Sequence, residues 1–193
     1  MRIPWLPAGP LRGVPDAWPH VADALRGAGY YPDPREHREA LYGGWLTSVP
    51  APADPPIDGL TVQCVVGTCG TRFRVLFGDQ ELGCCGVVTD LTHRRMSPAL
   101  QGWAWLDDLL VQEGWRNRGI GGRLVKYTVA WLRLAGCDRV VLAVADDDET
   151  AGAGRFYQRF GWRVFARETH GWIRDVPTKS GKPGQNRVGK RSP

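Results

Sequence analysis

Hydrophobic positions change period twice between residues 103 and 145. Trp103–Val111 is an apolar run of strand length broken by two adjacent acids, and residues 122–135 repeat apolar side chains at helical spacing. Arg139–Ala145 is a short β-branched run of the kind buried on both faces. Ahead of this unit, Leu60–Val66, residues 72–77 and residues 82–91 read as three antiparallel strands, with turn chemistry at residues 67–70 and 78–80. After it come a helix within residues 150–160 and a last strand over residues 162–168. The pattern predicts an α+β domain on a mixed, mostly antiparallel central sheet flanked by helices.

The first 59 residues follow a different rule. Asp16 as a cap, Ala17, Val21, Ala24, Leu25 and Ala28 at helical spacing, and Gly29 as a stop predict one helix over residues 16–28. Short aromatic stretches follow at Tyr30-Tyr31 and around residues 40–46, and the four prolines of residues 50–56 read as a linker. Three segments result: an N-terminal helical and proline-rich segment over 1–59, the α+β domain over 60–173, and a basic tail over 174–193.

Charge sharpens the last boundary. The 193 residues carry a net charge of +5, yet residues 174–193 hold six of the basic residues and one acid, which leaves 19 of each sign in residues 1–173. The basic pI of about 9.1 therefore belongs to a tail rich in Gly, Pro and Ser, and nucleic acid is not an expected partner. A hydrophobic content of 42% with a mean hydropathy of −0.31, and no apolar run of signal-peptide or membrane-spanning length, predict a cytoplasmic protein with no membrane partner. Five cysteines without zinc spacing read as buried thiols, with no metal expected.

Candidate chemistry centres on Arg116-Asn117-Arg118-Gly119-Ile120-Gly121, where the strand-like run meets the helix-like run. Glycines admit close backbone approach, and the first N–H groups of a helix lack intrahelical partners, so this turn is an anion cradle reinforced by Arg116, Arg118 and Arg123. It is not a Walker A loop, since no Lys-Ser or Lys-Thr follows, and Leu124 occupies the last glycine place of a dinucleotide fingerprint. The remaining pattern, R-x-x-G-x-G, resembles the acetyl-CoA pyrophosphate loop of the GNAT superfamily of N-acetyltransferases. Trp105-Leu106-Asp107-Asp108-Leu109-Leu110-Val111 resembles the family's central strand, in particular the acidic strand of its polyamine acetyltransferase branch. Residues 150–162 resemble its second motif, N-x-x-A-x-x-L-Y-x-x-x-G-F. The likeness spans about residues 60–172.

The resemblance implies acetyl-CoA as acyl donor, held by the backbone of Leu109, Leu110 and Val111 along the pantetheine arm. Arg116, Asn117, Arg118, Gly119, Ile120, Gly121 and Gly122 would lie at the pyrophosphate, with Thr150 and Ala153 as second-motif contacts. Two departures stand out. The two helices usual between the first and second strands are missing, so the acceptor site is either open or walled by residues 16–46, and Thr150 stands where the family often has Asn. Residues 24–30 echo residues 156–162, helix then Gly then aromatic, as a remnant of a preceding GNAT unit would.

Acetyl transfer to an alkylammonium, whose pKa is about 10.4, needs a base to free the lone pair and benefits from an acid at the leaving thiolate. The resemblance makes Tyr157 the acid and Asp107 or Asp108 the base, with packing and structural hydrogen bonding as the respective alternatives. Alternation puts Asp107 and Asp108 on opposite faces and sets Trp103 and Trp105 on the Asp107 face, where two indoles would attract a cationic amine. The expected acceptor is a small amine, polyamine- or amino-antibiotic-like. Protein lysine or N-terminal acetylation, a non-catalytic acyl-CoA-binding module, and a homodimer are the alternatives kept open.

Overall fold

The computed structural model describes residues 13–36, 38–52, 58–68, 70–89, 91 and 100–175. The elements are β1 (Val14–Pro15), α1 (Pro19–Gly27), β2 (Tyr31–Pro32), β3 (Arg38–Trp45), β4 (Leu60–Val66), β5 (Thr71–Phe77), β6 (Gln80–Val88), β7 (Trp103–Val111), α2 (Ile120–Leu134), β8 (Arg139–Ala145), α3 (Asp146–Ala151), α4 (Ala153–Gln158), β9 (Arg163–Thr169) and β10 (Trp172–Ile173). Eight strands form one sheet in the order β1-β9-β3-β8-β7-β6-β5-β4, while β10 and β2 pair separately. Among the described residues only β7 and β8 run parallel, and every other pairing is antiparallel.

α2 lies across β5, β6 and β7. Its Ile120, Leu124, Val125, Thr128, Val129 and Leu132 form the buried stripe that a helix of period 3.6 presents to a sheet. They meet Phe73, Val75, Leu82, Cys85, Val87, Ala104 and Leu106 in the main core, while Leu41, Leu91, Trp105 and Val141 form a smaller core on the opposite face. β4 and β5 are joined through residues 67–70 without intervening helices, the Gly67 N–H donating to the Gly70 carbonyl at 2.7 Å.

The N-terminal segment does not stand apart from the sheet. β3 pairs with β8 on one side and β9 on the other, with Ala40, Leu41 and Tyr42 buried. The division at residue 59 therefore does not divide the sheet. A Cβ at Gly44 would lie 2.5 Å from the ring of the fully buried Trp162, so glycine is required for this close approach. α1 begins at Pro19 with Trp18 as its cap, not at Asp16, which pairs with Arg38 instead. It lies against β1 at the sheet edge opposite β4, and it buries none of its residues.

Cys84, Cys85 and Cys137 are buried, whereas Cys64 is exposed on the edge strand β4, contrary to the expectation of buried thiols. Cys69 and residues 176–193 of the basic tail lie outside the described residues. Among the described residues no helix is long and apolar enough to cross a membrane.

Two charged clusters fasten β3. Tyr42 donates to Glu149 at 2.6 Å and Arg167 holds the same carboxylate at 2.7 and 3.0 Å, tying α3 to β3 and β9. Hydrogen bonding from Arg167 lowers the pKa of Glu149. Further along, His170 Nε2 lies 2.9 Å from Glu168 and 3.2 Å from Glu39, all three buried. Burial opposes a charge on this imidazole, but hydrogen bonds to the two carboxylates outweigh it and raise its pKa to about 9.

A protein lacking residues 1–55 loses β3 and exposes the inner edges of β8 and β9; it should fail to fold, as circular dichroism and a collapsed amide spectrum would report. The His170 pKa is raised above its ordinary 6.5, so its stabilisation is complete below pH 6.5 and fades as pH rises through about 9. Urea titrations over that window should show this loss in wild type and a shallower slope in His170→Gln.

Candidate functional site

β7 and β8 stay together for three residue pairs, Trp103↔Arg139, Ala104↔Val140 and Trp105↔Val141. β8 continues against β3 as far as Glu39↔Ala145, while among the described residues β7 from Leu106 onward keeps only β6 as a neighbour. The two parallel strands thus splay at their carboxyl ends, and one edge of the second half of β7 is open. On its other edge, Gly86 faces Asp107 and Cys84 faces Leu110, so Asp108 and Leu109 together oppose the single Cys85. This bulge needs a left-handed residue, and Asp108 adopts φ 42°, a conformation Asp tolerates better than most side chains.

The bulge resets the facing of every later residue. Ala104 and Leu106 point into the main core; strict alternation would send Asp108 and Leu110 after them, but Leu109 and Val111 pack there and Leu110 is 58% exposed. The expectation that Asp107 and Asp108 face opposite sides by simple alternation is corrected accordingly. Both carboxylates border one cleft, lined also by Gly67, Thr68, Arg72 and Gly86, and neither makes a side-chain hydrogen bond or ion pair with the described residues.

Past Val111 a short 3-10 helix, Glu113–Trp115, and the loop over residues 116–119 carry the chain into α2. Asn117 at φ 61° and Gly119 at φ 82° are both left-handed, and no side chain caps the helix, so the amides at its start face outward as an anion nest. Arg116 Nε donates to the Val111 carbonyl at 3.2 Å, fixing the turn to the strand end, and the Arg118 guanidinium lies over the Trp115 ring at 5.0 Å. Ile120 is buried as the anchor of the helix start. A Cβ at Gly121 would touch Phe156 and Val111 at 3.5 and 3.6 Å, and one at Gly122 would meet nothing, so this surface is open. Arg123 does not join it; it is buried, with its guanidinium 3.0 Å from the Tyr127 hydroxyl.

Gly152 at φ 114° breaks the second-motif helix into α3 and α4. Thr150 donates its hydroxyl to the Asp146 carbonyl at 3.0 Å and so satisfies itself within α3, while Ala153 packs against the main core. Tyr157 is 7% exposed, stacked on Trp162 at 5.9 Å and edge-on to Phe156 at 5.1 Å. Burial raises its pKa, with Cys85, opposite the β7 bulge, a lesser contributor in the same direction. A Cβ at Gly154 would strike the Tyr42 hydroxyl at 2.4 Å, so that glycine lets α4 settle onto β3.

Trp103 and Trp105 are not brought to the open cleft. Trp105 is buried in the smaller core, and Trp103, about 13 Å along the strand from Asp107, lies under the Arg139 guanidinium at 5.0 Å and beside Phe165. The expected pair of indoles for a cationic amine is corrected to a packed cluster. Glu39, Glu168 and His170 place ligand atoms within 4.8 Å of one another, a group able to hold a cation, where the imidazolium supplies a positive charge of its own. Sequence reasoning missed Arg72 and Gly86. The alternation Arg72-Phe73-Arg74-Val75 was the available signal, because it sets two arginines on the sheet face opposite the core.

No curated protein matches the chain. Among solved structures, a GCN5-related N-acetyltransferase from Sphaerobacter thermophilus is similar at TM-score 0.59 and 18% identity, over 83% of this chain and 58% of that one. One from Kribbella flavida is similar at TM-score 0.58 and 15% identity, over 80% and 63%. A tandem GNAT protein from the clavulanic acid biosynthesis pathway reaches TM-score 0.65 at 14% identity, over 92% and 64%. The chain thus spans about six-tenths of the length of these proteins, and they share its fold. The family profile described as acetyltransferase (GNAT) matches residues 21–162, across both β3 and the splayed strands, and the chain belongs to that family.

Proposed function

We propose that this chain moves an acetyl group from acetyl-CoA to a small primary amine by direct transfer. The observation that carries the reading is the open edge of β7 beside the uncapped start of α2. With Val111 Cγ2 only 3.6 Å from a Cβ placed at Gly121, an unpaired strand edge and an anion cradle adjoin. They fit a ligand with an amide-bearing arm and a pyrophosphate. The arm would pair with the backbone of Leu109, Leu110 and Val111 as another strand would. The phosphates would sit on the amides of residues 119–122, with Arg116 and Arg118 supplying charge.

The acceptor nitrogen must lose a proton before it attacks. Asp107, or Asp108 at the bulge, accepts that proton directly or through water, and the amine then adds to the thioester carbonyl carbon. As the C–S bond breaks, Tyr157 donates its hydroxyl proton to the departing thiolate. Its raised pKa keeps the phenol protonated near neutral pH. Positioning on the strand edge supplies much of the acceleration. A second reading, an acyl-CoA-binding module without turnover, is favoured by the deep packing of Tyr157 and the internal hydrogen bond of Thr150.

Gly121→Asp should keep its fold, since its Cβ makes only ordinary contacts, and weaken acetyl-CoA binding by more than about tenfold through like-charge repulsion. Calorimetry showing unchanged affinity would refute the cradle. Tyr157→Phe should lower turnover about 10²-fold with little change in acetyl-CoA affinity, the scale of a general acid. Asp107→Asn should depress the rate most at low pH, where free amine is scarcest. Binding without thiol release across a panel of amines would establish the non-catalytic reading.

A further inference from the structure

Three strands align one row of residues across the acceptor side of the cleft. Arg72 of β5 is paired with Gly86 of β6, and Gly86 with Asp107 of β7. Directly paired residues share a sheet face, so Arg72 and Asp107 project from the same side, about 10 Å apart at the backbone. Between them stands a glycine. A Cβ at Gly86 would already lie 3.4 Å from the Asp107 carbonyl, so a larger side chain there would fill the space that the cleft occupies. The floor is thus bare, with a guanidinium at one end and carboxylates at the other.

The charges at the two ends are not cancelled in the same way. Glu81 accepts from Arg72 at 3.0 Å and also from Arg74, so one carboxylate serves two guanidinium groups, and among the described residues the only other carboxylate acting on Arg72 is the more distant Asp108 of the same cleft. Only Nη2 of Arg72 is used in this contact, and its other nitrogens have no partner among the described residues. Asp107 and Asp108 are likewise without ion pairs among the described residues. A dication seated with one ammonium at Asp107 would press its second charge toward Arg72. An amine with an anionic group a few bonds away satisfies both ends.

We infer that the acceptor is a small zwitterion, an amine that also carries a carboxylate or phosphate, held with its ammonium at Asp107 and its anion on Arg72 across the Gly86 floor. This rests on the acetyl-transfer reading and narrows its acceptor away from polyamines. The test follows thiol release from acetyl-CoA with γ-aminobutyrate, n-butylamine and putrescine, which share a chain length and end in an anion, a methyl group and a cation. Phosphoethanolamine against ethanolamine asks whether a phosphate serves as the anion as a carboxylate does.

Wild type should favour the anionic member of each set in kcat/KM by about 10- to 100-fold, the range for one charge-assisted hydrogen-bonded contact. Arg72→Gln should erase that preference through KM, and Gly86→Val should block every acceptor while calorimetry still detects acetyl-CoA binding. A preference for putrescine, or a folded Arg72→Gln protein that keeps the wild-type preference, overturns the inference and leaves acetyl transfer standing. Absence of thiol release with every amine overturns both.

Discussion

Separation of β7 from β8 after three residue pairs is the constraint on which the rest of the structure turns. Backbone amides rarely remain unpaired when buried, so a splayed parallel pair must open to solvent or to a ligand while each strand is held by its other neighbour. β6 holds β7, and β3 holds β8 along its whole length. Without β3 the second half of β8 would have no partner on either side, and the cleft would have only one fixed wall.

That dependence explains why so much chemistry gathers around β3. Its glycines admit Trp162 and Phe165 against the backbone, its Tyr42 fastens α3 through Glu149, and its Glu39 joins the His170 cluster. Each contact ties the strand to a neighbouring element and so fixes its place between β8 and β9. α4, which carries Tyr157, rests on Tyr42 through Gly154, so the proposed acid and the strand that holds β8 are positioned together.

The bulge at Asp108 does comparable work on the other wall. One inserted residue shifts the parity of the strand, which turns Leu109 and Val111 inward to the core and leaves two carboxylates on the cleft. A regular strand with the same sequence would bury Asp108 beside Leu106. The desolvation cost of that charge and the gain from burying Leu109 and Val111 both favour the bulge.

What the sequence determined by itself was local. The bounds of β7 and β8, the turn into α2, and the uncapped glycine-rich helix start are set by period, turn residues and backbone freedom, all of which act within a few residues. The two motifs carried the family. Tertiary structure decided the rest. Arg38–Trp45 has Glu, Ala, Leu and two glycines where β-branched residues are usual, so local preference gave no reason to expect a central strand; burial between β8 and β9 overrides it. The facing of Asp107 and Asp108 depended on a bulge that alternation cannot reveal, and the stacking of Trp103 under Arg139 on a contact 36 residues away in the chain. Arg72, Gly86 and Asp107 met only through the register of three strands, because a strand's neighbours are chosen by burial and pairing across the whole sheet rather than by its own residues.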